Sequence, residues 1–244
     1  MEIIEQMKTT VSLVLPFYNE EHNVERVVTD LLGVFRKSDW QAQLVCVQNG
    51  SRDRTGAILH SLATANPDML VVEVPENKGY GYGIQQGLKV TTGEIVGYID
   101  GDGQVLPENM LQVLERMESE RAAKAVRVWR SDGRLRRVIS WCYNLLFGLF
   151  FNVSHRDANA KPKFLRRIDF TVIAPISNDW FIDPEIIIKA AALGIVWSEV
   201  PIEFGRRNKG QSHIRPQTVT EFLINMIRWR FGAYLEQWRR TVPR

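Results

Sequence analysis

Short apolar runs alternate with amphipathic segments through the first half of the chain. Four of these runs are typical of buried strands: residues 11–15, 44–47, 69–74 and 94–99. The segments between them carry apolar residues at helical spacing and are expected to be helices: residues 20–35, 53–65 and 80–90. Strand–helix alternation at this spacing predicts an α/β fold, with a mostly parallel sheet and helices on both faces.

The second half of the chain is less regular. A cationic stretch, residues 121–137, precedes an uncharged run, residues 138–154, which is too short and too polar to be a membrane-spanning helix. A helix is expected to begin at Asp183, with Pro184 in its first turn, and a strand is expected over residues 195–204. From residue 217 a stripe of apolar residues at helical spacing predicts one amphipathic C-terminal helix. We therefore expect an α/β domain over residues 1–216 and a helical appendage over residues 217–244.

Composition excludes several classes of protein. The 244 residues are 45% hydrophobic and 24% charged, which excludes a disordered, collagen-like or coiled-coil chain. The net charge of +3 and the lack of a nucleic-acid-binding motif argue against a nucleic-acid partner. Two cysteines, Cys46 and Cys142, cannot form a disulfide framework or a cysteine zinc site, and they fit a reducing compartment. The first ten residues lack the apolar core of a secretory signal, so a cytoplasmic location is expected.

The sharpest chemical feature follows the fourth expected strand. Asp100 and Asp102 are separated by one glycine, and Gln104 follows after another. Two carboxylates this close beyond a buried strand are costly unless a cation compensates their charge, as Mg²⁺ or Mn²⁺ with open positions for phosphates would. A solvated Asp-Gly turn is the structural alternative. Because ligands of parallel sheets bind beyond the carboxyl ends of the strands, the segments after the first, second and fourth strands should share one rim.

Two further segments could contact a nucleotide. Asn49 ends the second strand, where its amide could bond a nucleobase edge, whereas Ser51 or Asp53 could cap the next helix. The glycine-rich residues 77–83 do not satisfy GxGxxG, and no acidic residue stands where a ribose contact is expected, so a dinucleotide fingerprint is excluded. These glycines indicate either a mobile loop that enters a helix near a phosphate or sugar, or a plain turn.

The arrangement of five segments resembles that of family 2 glycosyltransferases, and most of all the dolichyl- and polyprenyl-phosphate sugar synthases. In chain order they are residues 14–21 (VLPFYNEE), 48–55 (QNGSRDRT), 77–88 (NKGYGYGIQQGL), 93–104 (GEIVGYIDGDGQ) and 200–214 (VPIEFGRRNKGQSHI). The resemblance covers roughly residues 11–214. It implies a GT-A fold, a nucleotide-sugar donor, a divalent cation and inversion at the anomeric carbon.

The resemblance also implies roles for individual positions. Donor-nucleotide contacts are expected from Pro16, Tyr18, Glu20, Asn49, Asp53 and Asp100. The metal and the donor diphosphate are expected at Asp100, Asp102 and Gln104. Acceptor and phosphate contacts are expected from Arg127, Arg137, Ser212 and His213. Asp102, Asp157 and Arg207 are candidate catalytic residues on the same ground. Asp183 is a fourth candidate, not from the resemblance but because a hydroxyl acceptor would need a base.

The chain departs from the family pattern at two places. Gln48 and Asn49 stand where the family usually has two acids. Guanine offers two donors that suit a carboxylate, whereas uracil offers one that an amide oxygen can meet, so uridine donors are favoured. After Asp157, the usual Ser-Gly-Phe is replaced by Ala-Lys-Pro at residues 160–162, which alters the expected acceptor pocket.

Three functions are compatible with these residues. The first is transfer of a sugar to a polyprenyl phosphate, which is already anionic and needs no general base. The second is transfer to a carbohydrate or protein hydroxyl, for which Asp183 is the first candidate base, with helix capping as its structural alternative. The third is a catalytically inactive, nucleotide-binding membrane adaptor. Intact Asp100, Asp102 and Gln104 argue against the third.

Lipid acceptors would also explain the second half of the chain. The cations of residues 121–137 could meet anionic headgroups at about 1 kcal/mol each. The apolar residues 145–151 could lie in the interface, and Trp229 and Trp238 could settle at headgroup level. A core-packing helix pair with a solvated basic face is the alternative. We therefore expect a peripheral protein on the inner face of a membrane; whether it forms homo-oligomers is left open.

Overall fold

The computed structural model describes residues 10–129, 134–153, 155–205 and 216–242. In chain order its elements are β1 (Thr10–Phe17), α1 (Val24–Lys37), β2 (Gln41–Asn49), α2 (Thr55–Ala65), β3 (Met69–Val74), α3 (Tyr80–Leu88), β4 (Ile95–Tyr98), α4 (Pro107–Glu115), a 3₁₀ turn (Arg116–Glu118), β5 (Ala122–Trp129), α5 (Arg134–Phe151), β6 (Lys163–Arg166), α6 (Arg167–Ile173), α7 (Ile182–Ala192), β7 (Ser198–Glu203), α8 (Pro216–Phe231) and α9 (Tyr234–Thr241).

The strands form one seven-stranded sheet in the order β3-β2-β1-β4-β6-β5-β7. The four strands of the first half run parallel, β6 is antiparallel to both of its neighbours, and β5 pairs with β7 in parallel. The predicted α/β fold with a mostly parallel sheet is confirmed. Because β1 is central and buried along almost its whole length, it places residues 18–20 at the middle of the rim.

Apolar side chains on the two faces of the sheet form two separate cores. Alternate residues of β1 divide between them, with Leu13 and Leu15 on the face covered by α1 and Val14 on the face covered by α3. This division is the period-2 pattern of a strand that is buried on both sides. A third cluster joins α5, α7 and α8 around Phe147 and Trp229.

Strands β5 and β6 were not predicted from the sequence, and their presence overturns one expectation. Three cations of the 121–137 stretch form internal ion pairs: Arg121 with Asp169, Lys124 with Glu199, and Arg127 with Asp157. Lys124 is fully buried. The expected use of Lys124 and Arg127 at a membrane surface is therefore wrong, because both lie largely inside the protein with their carboxylate partners. Arg121 keeps 55% of its side chain exposed, so its use at such a surface stays a prediction.

Two helix predictions also need correction. Helix α7 begins at Ile182, one residue before Asp183, and the Asp183 side chain makes no capping hydrogen bond. The C-terminal segment forms α8 and α9 rather than one helix, because α8 ends at Phe231 and α9 begins at Tyr234. The Gly232 N–H still donates to the Arg228 carbonyl at 2.8 Å. A side chain at Gly232 would meet that same carbonyl oxygen at 2.2 Å. Among the described helices, none is both long and apolar enough to cross a bilayer.

The C-terminal tryptophans do not lie where the sequence suggested. Trp229 is 5% exposed and Trp238 is 8% exposed, so both belong to the protein interior instead of a headgroup layer. The Trp238 indole N–H donates to the Val172 carbonyl at 2.9 Å, which anchors α9 to the end of α6. Phe147, expected at the interface, is also fully buried.

Candidate active site

The loops that follow β1 and β2 are joined by hydrogen bonds at the carboxyl rim of the sheet. The Glu20 N–H donates to the Thr55 hydroxyl at 2.9 Å, and the Asn19 N–H donates to the Ser51 hydroxyl at 3.1 Å. The Arg52 N–H in turn donates to the Asn19 side-chain oxygen at 2.9 Å. The first two expected nucleotide segments are therefore adjacent, as the parallel sheet predicts.

Asp53 holds these two loops together. One of its oxygens accepts from the N–H and hydroxyl of Thr55, and the other accepts from the Glu21 N–H. Partial burial raises the pKa of Asp53, but these hydrogen bonds outweigh the burial and hold its pKa below the ordinary value. The carboxylate therefore shapes the rim, and its contact with a nucleotide stays a prediction.

Pro16, Glu20 and Asn49 are all buried beneath this rim, and Tyr18 is half-buried. The Glu20 carboxylate accepts from the Asn23 side-chain amide at 2.6 Å. The Asn49 amide nitrogen donates to the Gly79 carbonyl at 3.1 Å, whereas its oxygen is buried and has no hydrogen-bond donor among the described residues. An amide oxygen left in that state is an available acceptor for a ligand N–H.

The corner formed by Asp100 and Asp102 packs against the end of β1. Between the two acids, a side chain at Gly101 would meet the Phe17 ring at 2.6 Å, so only glycine permits this close approach. Asp100 accepts from the Tyr80 hydroxyl at 2.7 Å, and Asp102 accepts from the Gln104 N–H at 3.0 Å. The side-chain amide of Gln104 donates to the Gly205 carbonyl at 3.2 Å, which joins the corner to the end of β7.

This corner has the chemistry of a site for a hard divalent cation. Both acids are partly exposed, with 26% of the Asp100 side chain accessible. The part of the chain that the structure describes holds no group of three metal-ligating side chains. Two carboxylates fit Mg²⁺ or Mn²⁺, which usually take few protein ligands and complete their shell with water and substrate phosphates. Asp100 and Asp102 therefore could hold such an ion together with a diphosphate.

A buried cluster of charges lies directly behind the corner. Pairing of β6 with β4 sets Lys163 opposite Tyr98, and α7 brings Asp183 to both. Asp183 accepts from the Tyr98 hydroxyl at 2.6 Å and forms ion pairs with Lys163 and, at 3.1 Å, with Lys161. The Lys161 ammonium also lies 3.4 Å from Asp100, so it connects the buried Asp183 with the exposed corner.

Electrostatics keep Asp183 ionised. Burial would raise the pKa of its carboxyl, but the ammonium groups of Lys161 and Lys163 and the hydrogen bonds from Lys163 and Tyr98 lower it below the ordinary value. Burial lowers the pKa of Lys163 to about 8, against the opposing attraction of Asp183. Asp183 is thus an anion held by two cations, which makes it a weak base.

Lys161 is further enclosed by two aromatic rings. The rings of Tyr80 and Trp180 stack with centroids 4.2 Å apart, and the ammonium lies 4.6 Å from the first centroid and 5.2 Å from the second. Lys161, Lys163 and Trp180 are site residues that were not predicted from the sequence. Their only local signal is a pair of lysines around Pro162 in an otherwise apolar segment.

The glycine-rich segment supports this arrangement by close packing. Within the glycine-rich residues 77–83, only residues 77–79 precede the helix, since α3 begins at Tyr80 as expected. A side chain at Gly81 would meet the Ser177 carbonyl at 2.2 Å. A side chain at Gly79, whose φ is +115°, would meet the Asn178 carbonyl at the same distance. The glycines thus bring α3 against the segment that carries Trp180.

Asp157 lies on the other side of the cluster and is paired with Arg127. The guanidinium donates twice to the carboxylate, both at 2.7 Å, and the two side chains are 16% and 9% exposed. Neighbouring Lys124 donates to the Asp157 carbonyl at 3.0 Å. A catalytic role for Asp157 and an acceptor role for Arg127 stay predictions. Arg207, Ser212, His213 and the side chain of Arg137 lie outside the described residues.

Comparison with known proteins identifies a family. The model of the family described as "Glycosyl transferase family 2" matches residues 12–181, more than half of the chain. The dolichyl-phosphate beta-glucosyltransferase of Trichomonas vaginalis is 25% identical, over 98% of this chain and 79% of the relative. The undecaprenyl-phosphate 4-deoxy-4-formamido-L-arabinose transferase of Pseudomonas fluorescens is 28% identical, over 89% of this chain and 64% of the relative.

A solved structure shares the fold. Glucosyl-3-phosphoglycerate synthase from Mycobacterium tuberculosis, in complex with Mn²⁺, uridine-diphosphate-glucose and phosphoglyceric acid, superposes with a TM-score of 0.72. It is 20% identical, and the match covers 97% of this chain and 81% of that protein. At this identity the likeness establishes the GT-A fold alone.

Proposed function

The chain belongs to glycosyl transferase family 2, and we propose that it transfers a sugar from a nucleotide-sugar donor to the phosphate of a polyprenyl phosphate. The observation that carries the choice of acceptor is the state of Asp183. Its carboxylate is fully buried and held by two ammonium groups and a phenol. Two relatives, a dolichyl-phosphate glucosyltransferase and an undecaprenyl-phosphate transferase, support the same class of acceptor.

Asp183 discriminates between the two kinds of acceptor because a hydroxyl must lose its proton during the transfer. The base for that step must reach the hydroxyl and have a pKa suited to accept its proton. Asp183 meets neither requirement, since its oxygens already contact Lys161, Lys163 and Tyr98 and its pKa is lowered. A phosphate oxygen is an anion at neutral pH, so it can attack the anomeric carbon without a base.

On the donor side, Asp100 and Asp102 would hold a divalent cation against the donor diphosphate. When bound, that ion neutralises negative charge on the departing nucleoside diphosphate. The buried Asn49 oxygen, which has no donor among the described residues, would accept a base N–H, and uracil supplies one. Glu20 and Tyr18 border the same rim and would orient the ribose. Arg207, if it reaches the diphosphate, would add positive charge at the leaving group.

A lipid acceptor also needs a surface that meets the membrane. Helices α5 and α8 pack together through Tyr143 and Phe222, whose ring centroids are 5.1 Å apart. The described part of this pair leaves large apolar side chains exposed: Trp141, Leu145, Leu146 and Leu149 on α5, and Leu223, Ile224 and Ile227 on α8. Exposed apolar groups on paired helices are the kind of surface that inserts into a lipid interface. We include peripheral membrane association in the proposal.

The test compares two acceptors that differ only in the phosphate. The protein is incubated with labelled nucleotide sugars, first uridine and then guanosine derivatives, together with Mn²⁺ and either a polyprenyl phosphate or the corresponding polyprenol. The proposal predicts labelled lipid from the phosphate alone and none from the alcohol. Labelled polyprenol, or transfer to a free sugar or peptide hydroxyl without transfer to the lipid phosphate, would overturn the choice of acceptor.

The same experiment separates the proposal from the inactive-adaptor alternative. An adaptor would bind the nucleotide and release no sugar under any condition. A turnover-competent site would hydrolyse the donor slowly even without an acceptor, and only in the presence of the metal. Asp102→Asn should abolish both activities, whereas Asp68→Asn, at an exposed acid before β3, serves as the matched control and should leave both intact.

A further inference from the structure

Lys161 is the feature of the site that the proposed reaction does not use. It stands between Ala160 and Pro162, in the segment that precedes β6. Its side chain is 6% exposed, yet its ammonium contacts Asp100, one of the two acids at the metal corner. A buried ammonium carries a full positive charge, and that charge is costly unless nearby anions compensate it.

The ammonium is fixed in position from several sides. Asp183 holds it at 3.1 Å and Asp100 at 3.4 Å, while the rings of Tyr80 and Trp180 lie within 5.2 Å of it. The Tyr80 hydroxyl donates to the same Asp100 oxygen that Lys161 contacts. Aromatic faces attract cations, so both rings add to the attraction of the carboxylates.

The four charges that these ion pairs join cancel one another before any ligand binds. Asp100 and Asp183 carry two negative charges, and Lys161 and Lys163 carry two positive ones, all within the contacts given above. A divalent cation that binds Asp100 would therefore meet a carboxylate already shared with an ammonium. A nucleoside diphosphate brings negative charge of its own, which attracts the divalent ion and offsets its repulsion by the ammonium.

We infer that Lys161 is a positioning residue that holds Asp100 and weakens the binding of free divalent cations, so that metal and nucleotide enter the site together. This inference rests on the proposed metal-assisted function. It specifies how the ligands bind: the protein alone has little affinity for the divalent ion, and most of the affinity for the ion arises once the nucleotide is bound.

The experiment measures Mn²⁺ affinity without nucleotide, by electron paramagnetic resonance of the free ion, and repeats it with saturating uridine or guanosine diphosphate. Lys161→Met removes the charge and keeps an unbranched side chain, whereas Lys161→Arg keeps the charge. Lys37→Met, at an exposed lysine that ends α1, removes the same net charge far from the site. Thermal unfolding verifies that each variant is folded.

The inference predicts weak Mn²⁺ binding to the wild type alone and binding about tenfold tighter to Lys161→Met, because one repelling charge next to the ion is gone. Lys161→Arg and Lys37→Met should stay within about twofold of the wild type. Adding Asp183→Asn to Lys161→Met restores the charge balance, and it should return the affinity most of the way to the wild-type value. The gain in Mn²⁺ affinity on adding nucleotide should be smaller in Lys161→Met than in the wild type.

Two results would overturn the inference. One is a wild type that binds Mn²⁺ tightly without nucleotide. The other is a folded Lys161→Met protein whose Mn²⁺ affinity is unchanged or weaker. If Lys161→Met does not fold, Lys161→Gln, which also removes the charge but keeps a polar side chain, provides the same comparison and is judged by the same criterion. A wild type in which no nucleotide changes the Mn²⁺ affinity contradicts the proposed function instead.

Discussion

The pair formed by Arg127 and Asp157 allows a quantitative test of how the second half of the domain is held together. Arg127 lies on β5, and Asp157 lies in the segment that precedes β6. Two hydrogen bonds of 2.7 Å join them, and the guanidinium also lies 5.6 Å from the centre of the Phe204 ring. Removing one partner leaves the other charge in a largely dry environment.

The expected cost follows from that burial. Breaking a buried pair by removing one partner typically costs about 3–5 kcal/mol, since the remaining charge keeps its desolvation penalty. Arg127 retains 16% exposure, which places this pair near the lower end, about 3 kcal/mol. For a chain of this size that loss lowers the melting temperature by about 6–12 °C.

The assay is a double-mutant cycle read by urea and thermal unfolding. Arg127→Met and Asp157→Asn are measured singly and together. A coupling of about 2 kcal/mol is expected, because the double variant leaves neither charge of the pair without its partner. The exposed pair Arg26–Asp30, at 3.5 Å in α1, provides the control cycle and should couple by no more than about 0.5 kcal/mol.

The reasoning would be refuted if the coupling between Arg127 and Asp157 were as small as that of the control pair. A folded, stable Arg127→Met protein with a raised KM for the polyprenyl phosphate would instead support the acceptor role that the family resemblance implies. Stability and acceptor KM therefore separate the two roles of Arg127.

Three further predictions concern packing, pH and membrane contact. Gly81→Ala should destabilise by about 1–3 kcal/mol, since its Cβ would lie 2.2 Å from a carbonyl oxygen, whereas Gly33→Ala in α1 meets nothing within 4 Å and should raise the melting temperature. Burial lowers the pKa of His155, so below about pH 6.5 the unfolded chain binds more protons than the folded protein does. The free energy of unfolding should therefore fall on acidification to pH 5.5, and it should fall less in His155→Gln than in the wild type. Equal losses in the two proteins would contradict this. Leu149→Glu, at 70% exposure on α5, should abolish binding to anionic vesicles, whereas Val196→Glu, at 81% exposure near β7, should retain it; equal binding would remove the membrane surface from the proposal.

The first half of the fold could be predicted because its strands are rich in apolar residues, and β1, β4 and the middle of β2 are buried on both faces. Residues 44–47 are apolar throughout, residues 11–15 and 69–74 each contain a single polar residue, and the helices between these runs show a clear one-sided pattern. Strand β5 escaped prediction because it contains Lys124 and Arg127, whose partners Glu199 and Asp157 lie at least 30 residues away. Strand β6 has only four residues, and its first is Lys163. The local pattern of apolar and polar residues does not reveal ion pairs between residues so far apart in the sequence.

Part of the candidate site could likewise be predicted from the sequence, and part could not. The placement of Asp100, Asp102 and Asn49 follows from strand ends, which a sequence reveals when the strands are apolar. The buried contacts of Asp183 depend on the antiparallel pairing of β6 with β4, which sets Lys163 opposite Tyr98. No local spacing indicates that register. The expected capping role of Asp183 therefore failed, because a helix N-terminus was visible in the sequence and its tertiary partners were not.

The most direct test of the central claim is calorimetric titration of nucleoside diphosphate into the protein with Mn²⁺ and with a chelator. Uridine and guanosine diphosphates are both measured, on the wild type, on Asp102→Asn and on the control Asp68→Asn. We predict binding of at least one nucleotide to the wild type and the control with Mn²⁺, and a loss of at least tenfold in affinity with the chelator or with Asp102→Asn. Nucleotide binding that is indifferent to the ion, or no binding of either nucleotide, would contradict the account.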